Sequence, residues 1–261
     1  MVEILGIPVC DEPLAQVVDD IIGTCVSGDA DRANRLISLT GAHGLVHAQH
    51  DPTFAATLHD FSLNLPDGLP SVWVGKYLKR AARMEQIRGS DFFRALMTRS
   101  AAQPIRHYFC GGKEGVADQL RDVCRTRFAN DSVVGTFCPP FRALTDEEWA
   151  GLASDIERSG ADIVWVGLST PKQEVFARNL ARRSHVHYIA TIGAAFDFHI
   201  GAVREAPAFV RRSGLEWFYR LCSDPKRLAR RYGEIVPLFL LYNALDVLGL
   251  RGHMRRGEGP S

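Results

Sequence analysis

Short apolar segments alternate with amphipathic ones along most of the chain. The apolar segments are rich in β-branched and aromatic residues, and the segments between them carry apolar residues at helical spacing. This alternation predicts a Rossmann-like α/β fold, in which a parallel sheet is covered by helices on both faces. The predicted strands are residues 35–39, 61–65, 106–110, 133–137, 162–168 and 187–192, and the predicted helices are residues 43–60, 70–82, 90–103, the segment after Gly112 up to 129, 145–159 and 172–183.

Several helix starts carry residues that favour that position. Ser90 is the predicted N-cap of its helix, and Thr145 with Glu148 forms a predicted capping box. Pro171 suits the first helical position, because its missing N–H has no partner there. These signals set the expected ends of the elements around the loops.

The carboxyl-terminal quarter differs from the rest in charge. Residues 211–256 hold ten Lys and Arg residues against four Asp and Glu residues, interleaved with aromatic side chains. Such a segment is either a solvated helix face or a surface for phosphates or anionic lipids. Over residues 235–250 the pattern is amphipathic, with Asn243 and Asp246 on a narrow polar stripe. A helix of this kind packs on its domain, pairs with another subunit or lies on a membrane surface.

These differences divide the chain into three parts. We expect a Rossmann-like catalytic domain over residues 1–203, a basic amphipathic helical appendage over 204–251 and a disordered tail over 252–261.

Composition excludes several classes of protein. With 46% hydrophobic and 23% charged residues in 261, the chain is neither disordered nor of low complexity. Its net charge of +1 does not favour nucleic acid as a partner. The six cysteines are dispersed without a CxxC pair, which favours a reducing cytosolic compartment. No signal-peptide pattern is present, and residues 235–250 are too short and too polar to span a bilayer.

Three predicted loops at the carboxyl ends of strands carry candidate chemistry. Gly111 and Gly112 form either a tight turn or a backbone cradle for a diphosphate, but Cys110 breaks the dinucleotide fingerprint. Asp67 is either a turn residue or a general base for a hydroxyl nucleophile. Thr40 is either a helix N-cap or a contact to a sugar or phosphate.

Two further loops follow the last predicted strands. Lys172, at a helix start, is placed to meet an anion. Asp197 lies between two phenylalanines, which suggests a buried, hydrogen-bonded carboxylate with either a structural or a ligand role.

Three histidines share one helix face, at positions 43, 47 and 50. A zinc site would need this kind of spacing, but the H-E-x-x-H context is missing, so partly exposed helix histidines are the favoured interpretation. We expect no metal site.

Six stretches between about residue 35 and 232 together resemble a known family. They are residues 66–68 (PDG), 89–92 (GSDF), 109–116 (FCGGKEGV), 162–174 (DIVWVGLSTPKQE), 192–198 (IGAAFDF) and 214–231 (GLEWFYRLCSDPKRLARR). In this order and spacing they resemble the WecB/TagA/CpsF family, glycosyltransferase family 26.

The resemblance implies an inverting, metal-independent transferase without a cofactor. Such enzymes move a hexose-type sugar, such as N-acetylmannosamine or a uronic acid, from a UDP-sugar to a polyprenyl-diphosphate-linked acceptor. Their products are teichoic acid, other cell-wall polymers or exopolysaccharide. The resemblance also implies a cytoplasmic protein that touches the inner membrane surface through its C-terminal appendage and forms homo-oligomers.

The resemblance also implies roles for individual residues. Asp67 corresponds to the proposed base, Thr40 to a substrate contact and Gln173 to a residue of the same pocket. Arg220 and Arg227 match arginines of the appendage. The other expected substrate-binding residues are Gly111, Gly112, Pro171, Lys172, Asp197 and Arg88.

The chain departs from the family pattern at several positions. Ala42 stands where an Asn is usual, and His43 is a candidate for its place. Gln86 replaces an Arg, so Arg88 would have to bind the diphosphate from a shifted position. Residues 138–141 (CPPF) replace a GYF element, and residues 204–207 read REAP instead of KRAP. These losses keep open a non-catalytic nucleotide-sugar binding or assembly protein, whereas a Rossmann dehydrogenase is disfavoured by Cys110.

Overall fold

The computed structural model describes residues 1–27, 32–207, 210, 216–223 and 225–250. The strands are β1 (Val2–Ile4), β2 (Ile7–Val9), β3 (Arg35–Thr40), β4 (Leu63–Pro66), β5 (His107–Gly111), β6 (Val133–Phe137), β7 (Ile163–Gly167) and β8 (Tyr188–Thr191). The helices are α1 (Leu14–Val26), α2 (Ala42–His50), α3 (Pro52–His59), α4 (Leu69–Trp73), α5 (Gly89–Ser100), α6 (Val116–Phe128), α7 (Asp146–Ser159), α8 (Lys172–Ala181), α9 (Ala195–His199), α10 (Glu216–Ser223) and α11 (Pro225–Val247), with a π-helical turn at Val74–Leu78 after α4.

Within the described residues, a six-stranded sheet has the order β4-β3-β8-β7-β5-β6. Every neighbouring pair is parallel, so the carboxyl ends of all six strands meet at one edge. Thr40 pairs with Pro66, and Gly111 with Gly167, at that edge. The predicted Rossmann-like α/β class is confirmed.

Both faces of the sheet are buried, as the apolar strands predict. On β7, Trp165 packs into a cluster with Phe92 and Phe93 of α5, while its neighbours Val164 and Val166 pack into a second cluster on the opposite face. Successive residues of a strand point to opposite faces, so a strand that is apolar throughout needs cover on both sides. This is why the run at 162–168 is so uniformly hydrophobic.

A buried polar residue, His107, begins β5 beside Trp165 of the first of these clusters. His107 Nδ1 accepts a hydrogen bond from Trp165 Nε1 (3.2 Å), and its Nε2 contacts Ser100 Oγ at 2.9 Å. Asn130 Nδ2 donates to Ser100 Oγ (3.1 Å). Burial lowers the pKa of His107 to about 3. The imidazole is therefore neutral in the native state at pH 7.

The predicted helix at 43–60 is wrong as one element, because two helices share this segment. Asp51 ends α2 and caps α3, since its Oδ1 accepts from the backbone N–H groups of Thr53 (2.9 Å) and Phe54 (3.0 Å). Pro52 occupies the first turn of α3, where its missing N–H has no cost. The helix predicted at 70–82 is likewise shorter, because helical backbone ends at Leu78.

The expected capping positions hold in one case of four. Thr145 and Glu148 form the predicted capping box of α7. Ser90 is not an N-cap, because helical backbone begins one residue earlier and Arg88 is the extended residue before it. Thr40 is not an N-cap either, since Gly41 holds that position at α2. Pro171 precedes α8 as its N-cap rather than as its first helical residue.

The sequence pattern predicts none of the amino-terminal elements β1, β2 and α1. The hairpin β1–β2 packs beside β4, where Cys10 N donates to Asn64 O at 2.8 Å. Helix α1 packs against α5. The hairpin thus lies next to one edge strand of the sheet.

Helix α11 packs on α2 both through apolar side chains, such as the 3% exposed Phe239, and through its polar stripe. Asn243 is 5% exposed, and Asp246 forms an ion pair with Lys79 at 2.5 Å. Tyr242 Oη lies 3.0 Å from His50 Nε2. The polar stripe therefore faces the domain rather than water.

The outward side of α11 is apolar, with exposed Val236, Leu240, Leu241, Val247 and, just beyond the helix, Leu248.

Over the part of the chain that the structure describes, no helix combines the length and hydropathy needed to cross a membrane. The predicted boundary at 203/204 stays a prediction, and the tail 252–261 lies outside the described residues.

Candidate functional site

The ends of β3 and β4 bring Thr40 and Asp67 together. Asp67 N donates to Thr40 O at 3.2 Å, directly after the paired residues Thr40 and Pro66. A Cβ at Gly41 would lie 2.3 Å from Asp67 O, so the two loops touch backbone to backbone. Gly68 follows with φ +121°, a conformation that glycine adopts without strain. The two predicted catalytic residues therefore share one corner of the carboxyl edge.

The Thr40 hydroxyl belongs to a buried polar chain. Thr40 Oγ1 and Ser38 Oγ are 2.6 Å apart, and Ser38 Oγ donates to Asn64 Oδ1 at 2.6 Å. Asn64 Nδ2 donates to the carbonyls of Pro8 (2.9 Å) and Leu58 (3.0 Å). Sequence reasoning missed Ser38 and Asn64, although a polar residue inside each of two otherwise apolar strands was a usable signal.

Arg88 lies beside this corner. Ile87 N donates to Pro66 O (3.0 Å), which ties the segment before α5 to the end of β4. The Arg88 guanidinium donates to Asp91 Oδ2 and to Gln86 Oε1, both at 3.0 Å, and its side chain is 17% exposed. Gln86, the departure noted in the sequence, thus helps to orient Arg88.

The loops after β7 and β8 are joined by the side chain of Gln173. Its Oε1 accepts from Gly193 N (2.9 Å), and its Nε2 donates to Glu174 Oε1 (3.0 Å) and Thr170 Oγ1 (3.2 Å). Gln173 and Glu174 are 2% and 1% exposed. Thr170 Oγ1 also donates to Glu174 Oε1 at 2.9 Å. All polar atoms of the Gln173 amide are engaged within the protein, whereas Lys172 is exposed at the first position of α8.

Burial raises the pKa of the Glu174 carboxyl, against the hydrogen bond from Gln173, which lowers it. Glu174, Thr170 and Gly193 complete this group of residues, and no role is predicted for any of them from the sequence. They lie next to Pro171, whose peptide bond to Thr170 is cis.

The glycines after β5 are required by packing. A Cβ at Gly111 would lie 2.5 Å from Gly167 O, and one at Gly112 would lie 2.5 Å from Val116 Cγ1. Gly112 N donates to Gly167 O at 3.0 Å. This contact occupies one backbone N–H of the turn, and α6 begins only at Val116. The tight-turn interpretation accounts for both glycines, and a role in binding phosphate stays a prediction.

Asp197 lies in α9, after β8, and is only half-buried. The expectation of a fully buried carboxylate is wrong, although Phe196, the preceding residue of α9, is 1% exposed in the core. Asp197 is at the carboxyl edge, as predicted.

Two of the three histidines of α2 stack on each other, and the third faces α11. The rings of His43 and His47 stack with centroids 6.3 Å apart, and His47 Nε2 lies 3.7 Å from Asp51 Oδ2. His50 contacts Tyr242 of α11. Among the described residues, no group of three or more His, Cys, Asp or Glu side chains is arranged to hold a metal ion.

A cavity of about 810 Å³ adjoins the glycine turn. Cys138 Sγ, on its rim, lies 3.6 Å from Gly112 O. Phe141, at 96% exposure, and Arg142 also line it, so the divergent CPPF element forms part of its wall. The side chains of Arg220 and Arg227, in α10 and α11, lie outside the described part of the structure.

The structure thus brings the predicted residues of five loops to one sheet edge, with Asp67 and Thr40 in direct backbone contact. A family model described as "Glycosyl transferase WecG/TagA/CpsF family" matches residues 2–252, nearly the whole chain. The chain therefore belongs to the WecG/TagA/CpsF family of glycosyltransferases.

Proposed function

We propose that this protein transfers a hexose-type sugar from a UDP-sugar to a polyprenyl-diphosphate-linked acceptor, with inversion and without a metal ion. N-acetylmannosamine, a uronic acid and related sugars are the candidates. The observation that carries the proposal is the contact between the Asp67 turn and Thr40 at the carboxyl edge, in a chain of a glycosyltransferase family. Polymers of the cell wall or exopolysaccharide are the proposed products.

In this mechanism Asp67 is the general base. Its carboxylate takes the proton of the acceptor hydroxyl while that oxygen forms a bond to the anomeric carbon. The bond between the anomeric carbon and the diphosphate oxygen breaks, and its electron pair leaves with UDP. Attack opposite to the leaving group inverts the anomeric centre, and the proton remains on Asp67 until it passes to solvent.

Positive groups at the same edge would stabilise the departing UDP. Arg88 is held in place by Gln86 and Asp91, so little ordering of its side chain remains to be done when a diphosphate binds. Lys172 and the amino end of α8 add positive potential beside the loop after β7.

Release of UDP tests this function. We expect turnover with one UDP-sugar of a panel when a short-chain polyprenyl-diphosphate sugar is present, and we expect EDTA to leave the rate unchanged. UDP-sugar binding without any turnover would instead support the non-catalytic binding protein. Loss of turnover in EDTA, restored by Mg²⁺, would contradict the metal-free mechanism.

We also propose that the outward side of α11 rests on the cytoplasmic face of the inner membrane. Leu240 and Leu241 are 65% and 50% exposed, and Trp73 and Tyr77, which precede Lys79 in the chain, are 50% and 76% exposed. Exposed apolar groups of this size are typical of interaction surfaces. The basic residues between 226 and 231 would add attraction to anionic lipid.

The double variant Leu240→Glu and Leu241→Glu is expected to bind anionic vesicles about 10- to 100-fold more weakly, because two apolar side chains no longer leave water. Vesicle co-sedimentation measures the change. Val175→Glu, at an exposed position of α8, is the matched control and should bind like the unmodified protein. Equal binding of the double variant and this control would refute the membrane role of α11.

A further inference from the structure

The hydrogen bonds that link Asn64, Ser38 and Thr40 have a defined donor and acceptor at each step, and these can be assigned starting from Asn64. The terminal amide of Asn64 faces two backbone carbonyls, Pro8 O at 2.9 Å and Leu58 O at 3.0 Å. Carbonyl oxygens only accept hydrogen bonds, so the atom that faces them is the amide nitrogen. Asn64 Oδ1 therefore points to Ser38 and needs a donor.

Ser38 has a single hydroxyl proton to supply that bond. Its Oγ lies 2.6 Å from Asn64 Oδ1, a distance that requires a proton between the two oxygens. Ser38 Oγ is also 2.6 Å from Thr40 Oγ1. Since the Ser38 proton is engaged with Asn64, the proton in this second contact comes from Thr40. Thr40 Oγ1 is then left with lone pairs alone for any further partner.

Burial keeps this arrangement in place. Ser38 and Asn64 are 0% exposed, so water does not offer them alternative partners, whereas Thr40, at 3% exposure, keeps a small accessible area. The Thr40 methyl group fits closely against α2, where a Cβ at Gly44 would lie 3.1 Å from Thr40 Cγ2. Turning the hydroxyl away would leave a buried acceptor or donor unpaired, which is unfavourable.

We infer that Ser38 and Asn64 are positioning residues that make Thr40 Oγ1 an acceptor only, so that it recognises a sugar O–H or N–H and rejects unprotonated oxygens. This inference rests on the proposed function and deepens it. A carboxylate or phosphate oxygen beside Thr40 Oγ1 would be repelled, because neither oxygen has a proton available for a hydrogen bond between them. The diphosphate is therefore directed to Arg88, which follows the segment tied to the end of β4, and a hydroxyl or acetamido N–H of a sugar occupies the position at Thr40.

Joint neutron and X-ray diffraction on the deuterated, ligand-free protein tests the proton direction itself. We expect the deuteron between Ser38 Oγ and Thr40 Oγ1 to be bonded to Thr40 Oγ1, and the Ser38 deuteron to point to Asn64 Oδ1. A Ser38 deuteron that points to Thr40 overturns the inference. This measurement needs neither substrate nor turnover, so its result is independent of whether the proposed function holds.

Transfer kinetics test the consequence for recognition. Thr40→Val, which keeps shape and removes the hydroxyl, is expected to lower kcat/KM by about 5- to 100-fold, and Thr40→Ser is expected to restore most of it. A higher KM for the UDP-sugar places the recognised group on the donor, and a higher KM for the lipid-linked sugar places it on the acceptor. Thr126→Val, on the exposed side of α6, is the matched control and should leave both KM values unchanged.

The variant Ser38→Ala tests whether Ser38 directs the Thr40 proton or only supports the fold. Without Ser38 the Thr40 proton is free to turn to the substrate. The preference for a hydroxyl over a fluorine at the contacted sugar position, about 5- to 100-fold in the unmodified protein, should shrink toward unity. An unchanged preference in Ser38→Ala overturns the inference, while failure of the unmodified protein to use any UDP-sugar counts against the proposed function instead.

Discussion

Asparagine in place of Asp67 is expected to slow sugar transfer by about 10²–10⁴-fold, because an amide cannot take the proton that the acceptor hydroxyl loses. The fold should be retained. The backbone N–H of residue 67 still donates to Thr40 O, and asparagine is as suited as aspartate to the turn before Gly68. UDP release under saturating donor and acceptor measures kcat, and titration calorimetry measures whether the UDP-sugar still binds.

The separate effects of Asp67→Asn on kcat and on UDP-sugar affinity identify the role of Asp67. We expect kcat to fall while the affinity for the UDP-sugar changes little, since the proposed base acts on the acceptor. Asp122→Asn, which makes the same change on the exposed face of α6, should keep the full rate. A rate for Asp67→Asn within twofold of this control would remove Asp67 from the chemistry.

Acid is expected to destabilise the protein through His107. In the unfolded chain an imidazole binds its proton near pH 6.5, whereas burial lowers the pKa of His107 in the native state to about 3. Between these values the unfolded state holds a proton that the native state does not. The stability that His107 contributes is therefore present above pH 6.5 and is lost as the pH falls toward 3, at about 1.4 kcal/mol per pH unit.

The contacts of His107 explain why its native form stays neutral. Trp165 Nε1–H points at Nδ1, so the single ring proton lies on Nε2 and is donated to Ser100 Oγ. A second proton on Nδ1 would face the indole N–H, and two donors would oppose each other. Low dielectric around the fully buried ring adds to this effect.

Urea unfolding at several pH values measures this loss. Between pH 6.5 and 4.5 the free energy of unfolding should fall by about 2–3 kcal/mol more in the unmodified protein than in His107→Gln, which has no titrating ring. His185→Gln, at an exposed position, should follow the unmodified protein. Parallel pH curves for the unmodified protein and His107→Gln would show that the buried ring does not control the acid response.

The sequence predicts the sheet well because its strands are apolar on both faces. The segment around Trp165, for example, has no other stable place than the centre of a covered sheet. The break between α2 and α3 was missed because apolar spacing continues across it. The side chain of Asp51 ends one helix and starts the next, and that effect depends on local geometry rather than on periodicity.

The candidate site likewise has one part that the sequence predicts and another that it does not. Asp67 and Thr40 follow two predicted strands, so the rule that parallel strands end together predicts their approach. The role of Ser38 depends on the register that places it opposite Asn64, and no pattern within either strand specifies that register. The orientation of α11 depends likewise on Lys79 and His50, which belong to segments distant in the chain.

The contact between Gly41 and Asp67 has a consequence for anyone who recombines relatives of this enzyme. Any other residue at position 41 would place its Cβ 2.3 Å from Asp67 O. The two loops can be exchanged between proteins only as a matched pair, although about 25 residues of sequence separate them. A chimera with its crossover between α2 and β4 combines loops from two parents, and it preserves this corner only where both parents share its backbone geometry.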